Sequence, residues 1–155
     1  GAAVLLALLP PARAMASLHP YQYMYYNELT GGFEGAAGRF VTDYWVMAFG
    51  PLSRELDEHV KMAGVAPLPG HNRYRVAICG SADVARYYLS DDYELAHYVE
   101  FADFWFSTTK WQCHKQHRGP VVAAVKLLGV PLAIVKQLRP LPPARPGSEP
   151  ARSSP

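Results

Sequence analysis

Side chains able to do chemistry concentrate between His19 and Trp45. The stretch opens as His19-Pro20-Tyr21-Gln22-Tyr23-Met24-Tyr25-Tyr26-Asn27-Glu28, passes through Gly31-Gly32 and closes on Asp43-Tyr44-Trp45. Tyrosine carries a large apolar ring with a polar tip, which suits a boundary between an oily phase and water. Aromatic rings also stack on sugars, while His19, Asn27, Glu28 and Asp43 can hydrogen-bond hydroxyl groups. The expected binding set is therefore His19, Tyr21, Tyr23, Asn27, Asp43, Tyr44 and Trp45, facing a lipid head group or a sugar. A second reading stands beside it. The same residues could lock a linker onto a domain, with glycines at 31, 32, 35 and 38 allowing tight turns.

Other constellations are weaker. Cys113-His114 followed by His117 offers metal-ligating atoms, but zinc needs a further ligand that only the fold could recruit, from His71, Cys79 or His97. Asp91, Asp92 and Glu94 lie too close together at a turn to flank a substrate, so they read as a solvated loop. Ser107-Thr108-Thr109-Lys110 lacks the glycine frame of a phosphate loop. No Gly-x-Ser-x-Gly elbow is present. Spacing alone assembles no catalytic set, and no metal or cofactor is expected in this chain.

The 155 residues suffice for one domain with a real core. Half are hydrophobic and 18% charged, which fits a globular domain. The net charge of +2, with its cations scattered, gives no case for nucleic acid. The two cysteines, Cys79 and Cys113, make no disulfide framework; two separate thiols are expected, one of them buried, although a single bridge would fit two strand ends.

These groups must be positioned by the elements that follow. Residues 1–18 hold an apolar run, Ala2 to Leu9, ending in Pro10-Pro11-Ala12-Arg13-Ala14-Met15-Ala16. The run imitates a secretory signal but lacks a basic start, and it falls well short of the ~20 residues that span a bilayer. It reads as the end of a last transmembrane helix. Residues 19–50 are then a juxtamembrane segment. A soluble domain over 51–138 begins with a helix from Pro51 to Ala63, with apolar residues at Leu52, Leu56 and Val60 and a stop at Gly64. Tyr74–Cys79 reads as a strand, Gly80-Ser81 as a turn and Val84–Leu89 as a short helix, without a dinucleotide-binding glycine pattern. Tyr93–Val99 fits either a short helix or a strand. Ala102–Thr109 reads as a strand, Gln112–Gly119 as a polar loop, and the stretches around Leu128-Gly129 as a hairpin, with Pro131 near a strand start. From Arg139 to Pro155 the composition reads as a disordered proline-rich tail. The fold expected is a small mixed-sheet α/β sandwich following the end of a transmembrane helix.

His19-Pro20-Tyr21-Gln22-Tyr23-Met24-Tyr25-Tyr26-Asn27, with Gly31-Gly32, Gly35-Ala36, Gly38-Arg39-Phe40 and Thr42-Asp43-Tyr44-Trp45, resembles the segment after the last membrane helix of bacterial polytopic glycosyltransferases. These are similar to the protein mannosyltransferases that use dolichyl phosphate mannose and to the aminoarabinose lipid A transferases. Val121–Val125 and Pro131–Val135 resemble the end of such proteins. Val46-Met47-Ala48-Phe49-Gly50-Pro51 departs from the glycine-and-serine run that follows the tryptophan in that family. The resemblance implies a carboxy-terminal extracytoplasmic domain of a membrane enzyme that moves a sugar from a polyprenyl phosphate carrier. It implies that the catalytic acid lies on a part of the enzyme outside this chain. The implied partners are the membrane, the transmembrane catalytic core of the same protein, and the carrier or acceptor. Two alternatives remain open: a secreted or membrane-anchored carbohydrate-binding module, and a small independent enzyme using the Gly80-Ser81 turn.

Overall fold

A computed structural model describes residues 1–144. It is the mixed α/β domain that the sequence leads one to expect. Helix α1 spans Ala2–Ser17, with Pro10 and Pro11 inside it. A single-turn helix α2 follows at Gly32–Ala36, then α3 at Phe49–Ala63. Strand β1 is Tyr74–Cys79, helix α4 is Ala82–Tyr88, and strands β2 and β3 are Tyr93–Leu95 and Phe104–Thr108. The hairpin strands are β4, Val121–Leu127, and β5, Val130–Gln137. The five strands form one sheet in the order β2-β1-β3-β5-β4. β1 runs parallel to β2 and β3, while β5 is antiparallel to both β3 and β4.

Alternation along the strands divides the core. Val76, Phe104 and Phe106 join Phe49, Leu52 and Leu56 of α3 in the main apolar cluster. Phe49 meets Phe106 edge to face, with ring centroids 4.7 Å apart. The intervening residues Ala77 and Trp105 pack with Ala102 in a smaller cluster on the other face. The 3-10 segments Val99–Phe101 and Lys110–Lys115 follow on from this part of the sheet, and the Trp105 indole bonds to the second of them.

Local chemistry explains the joints. Helix α3 starts at Phe49, two residues before the expected Pro51, because Ala48 and Phe49 are already drawn into the helical turn and buried. Gly80 has φ +148°, and a Cβ there would lie 2.9 Å from the Phe49 ring, so only glycine lets β1 pass this close to α3. Ser81 then caps α4 through the Val84 amide. The hairpin turns at Leu128-Gly129 with φ of +48° and +80°, the two left-handed residues of a type I′ turn. Pro131 is the second residue of β5, near the strand start. The ambiguous 93–99 stretch is strand β2 followed by a 3-10 turn, Val99–Phe101.

Three expectations are corrected. Cys79 and Cys113 are not separate thiols; they form a disulfide with Cα atoms 5.9 Å apart. The polar loop after β3 contains a 3-10 segment, Lys110–Lys115, because this bridge and the Trp105 indole, which donates to the Cys113 carbonyl at 3.1 Å, tie it to the sheet. The tail expected from Arg139 is held over its first six residues. Arg139 lies 3.8 Å from the fully buried Asp103 carboxylate, Leu141 packs on the core, and Pro142 accepts from the Ala66 amide. The remainder of that expected tail lies outside the described residues.

Candidate functional site

The His19–Trp45 block divides in two. Its first part is welded to the domain. Leu18, Tyr21, Met24 and Phe33 are buried in the main core cluster. Asp43, 2% exposed, is the anchor of the segment. Its carboxylate accepts the Met47 amide at 3.0 Å and the Ala48 amide at 2.9 Å, at the entry to α3, and the Tyr23 hydroxyl donates to it as well. These bonds satisfy two amides in the turn that leads into α3. They also hold Val46 at φ +60°, a strained conformation for a β-branched residue. Burial and then the Asp43 hydrogen bond push the Tyr23 phenol well above its ordinary value; burial and Asp43 raise Tyr21 too. Both phenols stay protonated.

Two further members of the expected set are also occupied locally. Asn27 caps the 3-10 turn Glu28–Thr30 through the Thr30 amide, at 3.3 Å. His19 is exposed, with its Nδ1 2.6 Å from the Gln22 side-chain nitrogen. Thus Tyr21, Tyr23, Asn27 and Asp43 make structural contacts, as the linker-locking reading has it.

Tyr44 and Trp45 differ. Both are exposed and they pack edge to face, 5.2 Å between centroids. Tyr44 faces outward against Lys110, whose ammonium sits 4.6 Å from its ring centroid and 4.4 Å from that of Trp111. Lysine over two ring faces is a cation–π arrangement. Beside it runs an open groove of about 410 Å³, lined by residues 37–42, residues 109–112, His114, Lys115, Val130 and Pro131. Arg39 lies over the Phe40 ring at 5.6 Å, and Phe40 in turn stacks on Tyr26. Arg39, Lys110 and Lys115 line the groove and no aspartate or glutamate does. None of the three takes part in a salt bridge among the described residues. Burial, then Lys115 and Lys136, hold the His114 imidazole below its ordinary value, and its buried Nδ1 has no hydrogen-bond partner.

Sequence reasoning missed Lys110, Trp111, Arg39 and Phe40 as companions of Tyr44. The only signal was their residue type, because 67 positions separate the two walls, bridged by the Thr42 and Thr109 hydroxyls 3.5 Å apart. The metal constellation is not assembled. Cys113 is bonded to Cys79, and no group of three or more His, Cys, Asp or Glu side chains among the described residues could hold a metal ion. Chemically, the groove can hold an anion and an apolar or ring-shaped neighbour; it offers no nucleophile paired with a base.

No protein family, curated protein or solved structure matches the chain.

Proposed function

We propose that this chain is the carboxy-terminal extracytoplasmic domain of a membrane glycosyltransferase that takes a sugar from a polyprenyl phosphate carrier. On its own it is non-catalytic, and it covers the membrane-embedded site or helps position the acceptor. The observation that carries this reading is α1. Its apolar side chains Val4, Leu6, Leu8 and Leu9 all stand exposed, on several sides of the helix, directly before the segment locked into the domain through Leu18, Tyr21 and Met24. A helix apolar all round needs an apolar surrounding, in a bilayer or among other helices. Among the described residues no helix is long and apolar enough to cross a membrane. The Cys79–Cys113 bridge supports an extracytoplasmic place, since disulfides persist in oxidising compartments. The pattern of His19–Asn27 and Asp43–Trp45 supports the enzyme class.

The test is the coding sequence upstream of Gly1. Several hydrophobic spans, with an acidic residue in the first extracytoplasmic loop, are expected. A start codon within a few residues of Gly1 would overturn the reading and favour a secreted or membrane-anchored carbohydrate-binding module.

A further inference from the structure

We infer that the Lys110 groove is a docking surface for the anionic head groups of a lipid bilayer. The inference rests on the membrane placement proposed above and specifies the face of the domain that meets the bilayer. Three cations, Arg39, Lys110 and Lys115, line one groove that holds no acid, and none has a carboxylate partner among the described residues. Arg39 and Lys115 are exposed and Lys110 is half-buried, and ring faces hold two of the three. Lys110 sits between Tyr44 and Trp111, and Arg39 over Phe40. The rings are themselves outward: Trp45 is 67% exposed and Trp111 71%. Large aromatics that still present most of their surface to water suit the head-group layer, with apolar rings inward and polar edges at the water. Anionic lipids supply the missing counter-charges.

The geometry explains why these groups act together. Residues 110–115 are fixed to the sheet by the Cys79–Cys113 bridge and by the Trp105 indole. The facing wall is fixed by Asp43, one residue before Tyr44. Both walls are thus rigid mounts for exposed rings and cations. An acidic polysaccharide could use the same charges and rings; the exposed apolar side chains of α1, which a glycan does not need, favour the bilayer.

The test is sedimentation of the full chain with vesicles of phosphatidylcholine alone and of phosphatidylcholine mixed with phosphatidylglycerol. Wild type should prefer the anionic vesicles, with each cation contributing about fivefold at low salt. The double variant K110Q/K115Q should lose most of that preference, roughly 25-fold for two such cations, yet still bind neutral vesicles through α1. The conservative pair K110R/K115R should retain it, which separates lost charge from misfolding. A preference that survives K110Q/K115Q, or no preference in wild type, would overturn the docking surface. Retention on an anionic polysaccharide without preference among vesicles would overturn it in favour of an acidic glycan. Loss of neutral-vesicle binding with the charge-dependent preference intact would instead count against α1 as a membrane helix, leaving the docking surface standing.

Discussion

Cys79, the last residue of β1, is bonded to Cys113, which lies in the segment that carries Lys110 and Trp111. The bridge closes a 34-residue separation and joins an interior strand of the sheet to one wall of the groove. Trp111 and Gln112 in that wall have φ of +52° and +57°, a conformation unfavourable for side chains of their size. The covalent tie offsets that strain.

Removing the bridge should therefore destabilise the domain and loosen the site together. Cys79→Ser with Cys113→Ser is expected to cost about 2–4 kcal/mol, the usual range for a native bridge over a loop of this size. Denaturant titration with and without reductant measures the loss. Reduced wild type and the double variant should coincide; equal stability of oxidised and reduced chains would sink the expectation.

Asp43→Ala should be among the most damaging changes in the chain. It strips two amides of buried or half-buried hydrogen bonds, at Met47 and Ala48, and leaves the Tyr23 hydroxyl unpaired. The expected cost is roughly 2–4 kcal/mol, since an unsatisfied buried group loses far more than one average bond. Asp43→Asn, which can still accept one amide, should cost less. Tyr23→Phe should cost about 1 kcal/mol. A thermal-melt series that ranks the three otherwise would show that Asp43 is not the anchor.

Gly80→Ala tests the close approach of the end of β1 to α3. The new Cβ would meet the Phe49 ring at 2.9 Å, and φ +148° is unfavourable for alanine. A loss of about 1–3 kcal/mol is expected, from backbone strain and overpacking together. Gly70→Ala makes the control for a positive φ alone, because nothing lies within 4 Å of its Cβ. If both variants melt together, the contact with Phe49 carries no cost.

Two of the shifted groups should contribute to the pH dependence of stability with opposite signs. His114 is held below its ordinary value of 6.5, first by burial and then by Lys115 and Lys136. The unfolded chain then binds the proton more readily, so the His114 contribution is present above pH 6.5 and is lost as pH falls toward its folded value. Tyr74 is pushed up to about 12, chiefly by burial, with Asp92 and Asp103 adding to it. Its hydroxyl donates to the Val65 carbonyl at 2.7 Å. That contribution is present below pH 10 and is lost as pH rises toward about 12. H114Q should lessen the slope of the acid limb of a stability profile and Y74F that of the alkaline limb, to which the raised Tyr21 and Tyr23 phenols also contribute. An unchanged limb in either variant would refute that assignment.

Much of the fold was legible in the residues. The alternation Tyr74–Cys79, the aromatic run Phe104-Trp105-Phe106, the Leu128-Gly129 turn and the apolar spacing of α3 each carry a local signal that the backbone obeys. Local signals also marked the His19–Trp45 block as unusual and allowed it to be either a binding surface or a lock. What residue types cannot specify is which side of the chain a residue faces. Asp43 and Tyr44 are neighbours in sequence, yet one is buried as an anchor and the other stands in water beside Lys110. The bridge between Cys79 and Cys113, the hold of Asp103 on Arg139, and the meeting of residues 37–42 with residues 109–115 all join distant positions. Such pairings depend on how β1, β3 and β5 align across the sheet. Local propensity extends over a few residues, so only the tertiary packing decides them.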